Sequence, residues 1–203
     1  MNGTVAAIVT AAGLSRRMGC CKQLLDLGGK TVLARCLDTL LAGGLTQVVV
    51  VVGPGNELVA AEASRFPVEV VVNPARGGDM ASSVLVGRRL LAPHITGTIV
   101  ALCDYPLVSP ATISYLASVH GAAPTAILVP RHGGQKGHPT LFPSALLDEL
   151  SSGGTLRDIL ARHHEEVRLL DTGDPGILLD MDTPEDYRRL HRMNLDAGGA
   201  AVT

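Results

Sequence analysis

The chain has 203 residues, 46% of them apolar but only 2% aromatic, and a formal net charge of −2. That length suits one α/β domain with a sizeable core, built from Val, Leu, Ile and Ala as in a parallel sheet covered by helices. The charge balance excludes the basic excess of a nucleic-acid binder, and every apolar run is too short for a membrane-spanning helix, so neither nucleic acid nor membrane is an expected partner.

In chain order, residues 5–10 read as a buried strand that enters a glycine-containing loop over 11–19. No charged segment and apolar stretch precede that strand, so no secretory leader is expected. Cys20, Cys21, Cys36 and Cys103 show no C-x-x-C spacing, which fits a reduced, cytoplasmic protein. Helical spacing over 30–41 stops at Gly43-Gly44. Residues 47–52 form a β-branched run that ends at Gly53-Pro54-Gly55, the pattern of a central strand and a tight turn. A helix over 57–65, a strand over 68–72, a helix over 80–91 and a strand over 98–102 follow. Pro110 opens a helix to 119, and 126–129 reads as a strand. Short helices are expected over 143–150 and 156–162, strands over 167–170 and 177–181, and a last helix over 184–194. Strands and helices alternate from the start, so the expected fold is a three-layer αβα sandwich with a mostly parallel sheet. One domain over 1–195 is expected, with a frayed tail over 196–203.

In such sheets ligands sit beyond the carboxyl ends of the strands, so the segment after each strand carries the functional information. The first loop reads Ala11-Ala12-Gly13-Leu14-Ser15-Arg16-Arg17-Met18-Gly19-Cys20-Cys21-Lys22. Small residues at Ala11, Ala12 and Gly13 let backbone amides approach an anion, and Arg17 and Lys22 supply charge for a triphosphate. It has neither P-loop nor dinucleotide-fingerprint spacing. On residue type alone it reads equally well as a βα turn with solvated basic residues. Asp104, after the strand over 98–102, is placed to hold a metal ion against phosphates; a turn aspartate is the alternative. Asp180 and Asp182 stand at alternate positions of a presumed strand end and so face one side, although Asp182 or Thr183 could equally cap the helix that follows. Asn73, Gly78, Ser82 and Ser83 offer amides and hydroxyls for base and ribose, the alternative being a helix start capped by Asp79.

The first loop resembles the L-A-A-G-x-S-x-R-M-G-x-x-K signature of the MobA-like NTP transferases, with Thr10 in place of the leucine. Residues 24–33 resemble the L-L-x-L-G-G-K-x-x-L that follows in that family. Cys103-Asp104-Tyr105-Pro106-Leu107-Val108 resembles its C-D-x-P-L-V motif, Asn73 to Ser83 its N-P-x-x-x-x-G-M-x-x-S loop, and Met181-Asp182-Thr183-Pro184-Glu185-Asp186-Tyr187 its I-D-T-P-E-D-Y segment. Gly137-His138-Pro139 resembles the G-x-P that borders the family's acceptor pocket. Asp79 stands between Gly78 and Met80, where the family has Gly-Met directly, and residues 153–158 depart from the family's G-D-x-G-A-R.

The resemblance spans residues 5–190 and implies a Rossmann-like nucleotidyltransferase fold. It implies that Ala11, Ala12, Gly13, Leu14, Ser15, Arg17, Lys22, Asn73, Gly78, Ser82, Ser83 and Asp104 bind the nucleotide. Arg17, Lys22 and Asp104 are the implied catalytic residues, and Asp104 and Asp182 the implied ligands of Mg²⁺, or of Mn²⁺ in its place. Gly137, His138 and Pro139 would border the acceptor. Ala11-Ala12-Gly13 resembles the cytidylyltransferase-like members more than the Ala-Gly-Gly guanylyltransferases. The implied reaction is therefore CMP transfer from CTP to a phosphorylated acceptor, molybdopterin first. GTP, or a sugar or alditol phosphate acceptor, remains open within the class. A molybdoenzyme or its chaperone is the implied protein contact. From another class, a non-catalytic nucleotide-binding accessory factor stays open, as does a dinucleotide-dependent oxidoreductase, against which the missing fingerprint counts.

Overall fold

A computed structural model describes residues 4–13, 18–75 and 79–199, with side chains through Met193. The strands are β1 (Thr4–Ala11), β2 (Val48–Val52), β3 (Glu69–Val72), β4 (Ile95–Leu102), β5 (Ile127–His132), β6 (Gln135–Lys136), β7 (Thr140–Pro143) and β8 (Val167–Asp171). The helices are α1 (Val32–Ala42), α2 (Glu57–Ala63), α3 (Met80–Arg88), α4 (Pro110–Ala122), α5 (Leu156–Arg162) and α6 (Pro184–Gly199). The strand order is β3-β2-β1-β4-β7-β5-β6, with β8 beside β5.

β1 pairs in parallel with β2 and β4, β2 with β3, and β5 with β8. The mostly parallel αβα expectation therefore holds. Alternation along β1 sorts its side chains between two cores. Val5, Ala7, Val9 and Ala11 join Leu33 and Leu37 of α1 and Leu116 of α4, while Ala6 and Ile8 join Val84 of α3 and Phe142. All five valines of β2 are buried, as expected of a strand covered on both faces. Among the described residues, no helix is long and apolar enough to cross a membrane.

The helix starts follow local chemistry. Thr31 accepts from Ala34 N, Asp79 from Ser82 N and Ser109 from Thr112 N, and Thr155 and Asp158 form a reciprocal capping box. Asp79 is thus the cap of α3.

Two expectations are corrected. The segment 135–143 contains two short strands, β6 and β7, that pair antiparallel with β5 and β4. Their brevity and the intervening Gly137-His138-Pro139 hide the period-two signal. The strand expected over 177–181 does not form. Asp174 Oδ1 accepts from Gly176 N and starts a 3-10 turn over Pro175–Leu178. Ile177 and Met181 are buried, while Leu179 between them is only partly so. The argument that Asp180 and Asp182 share a strand face falls with that strand.

Candidate active site

The C-terminal ends of β1 and β4 bring the site together. Beyond β1, the backbone of Ala11 to Gly13 is held by Gln23, which is 2% exposed. Its amide donates to Ala11 O at 3.3 Å and Gly13 O at 3.2 Å. Satisfying two carbonyls from one side leaves the loop's other polar groups free to face a ligand. On the far side, a Cβ on Gly53 would lie 3.2 Å from Ala12 O, so the turn after β2 braces the same loop.

Lys22 opens the 3-10 turn Lys22–Leu24 and crosses the site. Its ammonium donates to Asp104 Oδ2 at 2.8 Å, Asp182 Oδ1 at 2.9 Å and Met181 O at 3.2 Å. Burial pulls the Lys22 pKa down, but the charges and hydrogen bonds of Asp104 and Asp182 outweigh it, and the net shift is upward. One cation thus ties together the two carboxylates that the motifs single out. Asp182 is released from capping because Thr183 and Asp186 cap α6 reciprocally: Asp186 N donates to Thr183 Oγ1, and Thr183 N to Asp186 Oδ2. Asp180 instead lies close enough to Tyr105 and His138 to shift their acidities.

The donor set fits a divalent cation. Asp104 Oδ1 is buried and has no hydrogen-bond partner among the described residues, a costly state for a carboxylate oxygen unless a cation or donor joins it. Asp104 Oδ2 and Asp182 Oδ1 already converge on one positive charge. Among the described residues, no group of three or more His, Cys, Asp or Glu side chains forms a self-sufficient metal cage. Two carboxylates completed by substrate phosphates is the usual arrangement for Mg²⁺.

A cleft enclosing about 640 Å³ opens here, lined among others by Ala12, Gly13, Lys22, Asp104, Met80 and Ser83. Asn73 is buried behind it and donates to Ser82 Oγ at 2.9 Å and Ser83 Oγ at 3.1 Å. Asn73, Ser82 and Ser83 are therefore brought together as expected. Ser83 lines the cleft, while Ser82 is engaged with Asp79. Leu14, Ser15, Arg17 and Gly78 lie outside the described residues.

A second cleft of about 1470 Å³ adjoins the first through Met80 and Leu102 and is bordered by Gly137 and His138. Pro139 lies deeper, in a small apolar cavity with Tyr105. The His138 ring lies 4.9 Å from the Tyr105 ring, tilted by 49° to it. Burial lowers its pKa against the opposing pull of Asp104 and Asp180. Tyr105 is pushed up to about 12 by burial and by Asp180, Asp104 and Asp182. The thiol of Cys21, beside Lys22, is raised by burial rather than activated.

Gln23 is the site residue that sequence reading missed. Its signal was a polar residue inside the run Lys22-Gln23-Leu24-Leu25, where burial calls for a hydrogen-bonding task.

Comparison with known proteins agrees with this geometry. The model of the MobA-like NTP transferase domain matches residues 7–167. Nicotine blue oxidoreductase of Paenarthrobacter nicotinovorans is 32% identical over 92% of this chain and 96% of its own. Molybdenum cofactor cytidylyltransferase of Escherichia coli K12 is 28% identical over 90% and 93%. The crystal structure of Rv0371C from Mycobacterium tuberculosis H37Rv, a complex with manganese, superposes with a TM-score of 0.76 at 30% identity, covering 95% of this chain and all of that one. A cleft at the strand ends, two carboxylates held by one lysine, and a family match over most of the chain place this protein in the MobA-like NTP transferase family, as a nucleotidyltransferase.

Proposed function

We propose that the protein transfers CMP from CTP to a phosphorylated acceptor, molybdopterin, and releases pyrophosphate, with Mg²⁺ as the preferred metal. The observation that carries this reading is the Lys22 ammonium between Asp104 and Asp182, at the mouth of a cleft floored by the loop from Ala11 to Gly13. Asp104 and Asp182 would hold the metal, which when bound supplies charge neutralisation for the triphosphate. The manganese complex of the mycobacterial relative supports Mn²⁺ as a substitute.

In this reading an acceptor phosphate oxygen attacks the α-phosphorus. The bond from that phosphorus to the bridging oxygen breaks, and the electron pair leaves with pyrophosphate. Lys22 moves from the carboxylates to the phosphates as the nucleotide enters and stabilises the developing charge. Arg17 shares that task on the strength of the sequence motif. The amides of Ala12 and Gly13 orient the nucleotide, with Ser83 beside it. Gly137 and His138 border the acceptor, whose product passes to a molybdoenzyme or its chaperone. Ala12 and the cytidylyltransferase relative favour CTP over GTP.

The test is a panel of NTPs with Mg²⁺ and molybdopterin, read by pyrophosphate release. CTP-dependent release that requires acceptor supports the reading, and release only with GTP assigns a guanylyltransferase. A second reading, a dinucleotide-dependent oxidoreductase, is favoured by the 32% identical oxidoreductase. Oxidation of NADH or NADPH by the same preparation, with no CTP consumed, would select it.

A further inference from the structure

The larger cleft is unlike the nucleotide cleft in chemistry. Its interior is apolar, with Phe142, Val129 and Leu160 in its walls, and Met80 and Leu169 expose 45% and 37% of their surface there. Large apolar side chains left open inside a cleft mark a ligand surface more often than a bare exterior does. Its described lining contains no carboxylate. It does contain Lys136, Arg157 and His164, from three separate segments: β6, α5 and the 3-10 turn after α5.

None of these three side chains forms a hydrogen bond or ion pair with a described residue. None of the three lines the nucleotide cleft, so the anion they are arranged to meet is not the triphosphate.

We propose that Lys136, Arg157 and His164 select the acceptor by a second anionic group, carried on an extended apolar or flat-ring body and distinct from the phosphate that reacts near Asp104. This rests on the nucleotidyltransferase reading for the identity of the occupant. The apolar walls take the body of the acceptor and the cations take its far charge. An acceptor with a single phosphate and a small polyol body would leave both unused. Residues 153–158, which depart from the family motif, place Arg157 in this cleft.

Two fluorescent probes share an aromatic body and differ in charge: 8-anilinonaphthalene-1-sulfonate is an anion, and N-phenyl-1-naphthylamine is neutral. In the full-length protein, the double variant Lys136→Gln/Arg157→Gln should bind the anionic probe about tenfold more weakly, the loss of charge-assisted contacts at a partly solvated site. The neutral probe should bind unchanged, and salt should weaken only the anionic probe on wild type. Leu169→Glu should weaken both probes. Equal affinity of the anionic probe for wild type and the double variant, or indifference of both probes to Leu169→Glu, overturns the proposal. CTP titration of the same proteins separates the two readings. Wild type and double variant should bind CTP alike. Failure of wild type to bind CTP, with the probe pattern intact, removes the nucleotidyltransferase reading while leaving an anion-selective cleft.

Discussion

Lys22 Nζ lies 2.8 Å from Asp104 Oδ2, joining residues 82 positions apart across the ends of two parallel strands. In the proposed reading Lys22 has two tasks: holding the carboxylates together without substrate and meeting the triphosphate with it. Lys22→Ala should weaken CTP binding and slow transfer. Lys22→Arg should rescue only in part, because a planar fork cannot reach Asp104, Asp182 and Met181 O as one ammonium does. Equal CTP affinity of wild type and Lys22→Ala, by calorimetry, would remove Lys22 from the site.

Asp104→Ala should lose turnover by roughly three orders of magnitude, a few kcal/mol of barrier. Its Tm should change little, since the group sits at a strand end and one of its oxygens has no partner to lose. Near-normal turnover in Mg²⁺ contradicts the metal assignment.

Ala12 lines the nucleotide cleft where guanylyltransferase-like sequences carry glycine. A single methyl typically discriminates by about 1–3 kcal/mol, so CTP should be favoured over GTP by roughly one to two orders of magnitude. Ala12→Gly should narrow the ratio of kcat/KM values without reversing it, because in the proposed reading Ser83 and the surrounding backbone also read the nucleotide. A wild type that prefers GTP ends the cytidylyltransferase reading and leaves the transferase reading standing.

Gly176 tests how Asp182 is positioned. A Cβ there would collide with the backbone oxygen of Leu107, a contact that cannot be relieved by rotating a side chain. Gly176→Ala should cost about 1–3 kcal/mol in urea unfolding. By moving the segment that leads to Asp182, it should also raise the metal concentration needed for half-maximal turnover. Unchanged stability and metal dependence would show that the segment is not fixed at this point.

Acid sensitivity should trace in part to His120. Its ring is buried on α4, with Nε2 3.0 Å from Thr96 Oγ1 and Nδ1 without a partner. Burial lowers its pKa below 6.5. The folded state thus favours the neutral ring, and the unfolded state takes up the proton first. Its contribution to stability is whole above pH 6.5 and is lost as pH falls through the lower folded value. His138 shifts in the same direction. Carboxylates with downward shifts, Glu62 and Asp186 among them, start from 4.5 and 3.8 and give way at lower pH. Tm should therefore decline as pH falls below 6.5 more steeply in wild type than in His120→Gln. Parallel profiles contradict the assignment.

Much of the architecture was legible because it rests on local signals. The valine run of β2, Pro110 at the start of α4, and Asp104 just past a buried strand each announce themselves within a few residues. The motifs also pointed to Lys22, Asp104 and Asp182 separately. What the chain order hides is their meeting, across separations of 82 and 160 residues. Gln23 escaped notice because its task is to satisfy the Ala11 and Gly13 carbonyls, a need visible only once the loop is folded. The run Ile177-Leu178-Leu179 was misread because a short apolar stretch fits a strand and a turn equally well. Here Asp174, Pro175 and Gly176 decided for the turn.

The central claim is transfer of a nucleoside monophosphate, and the fate of the α-phosphorus tests it most directly. With CTP labelled at the α-phosphorus, Mg²⁺ and molybdopterin, the label should appear in a new cytidine–acceptor diphosphate. Label at the γ-position should appear in pyrophosphate, and both transfers should be absent from Asp104→Ala. If the acceptor instead gains the γ-label, or CTP stays intact while NADH or NADPH is oxidised, the account is contradicted.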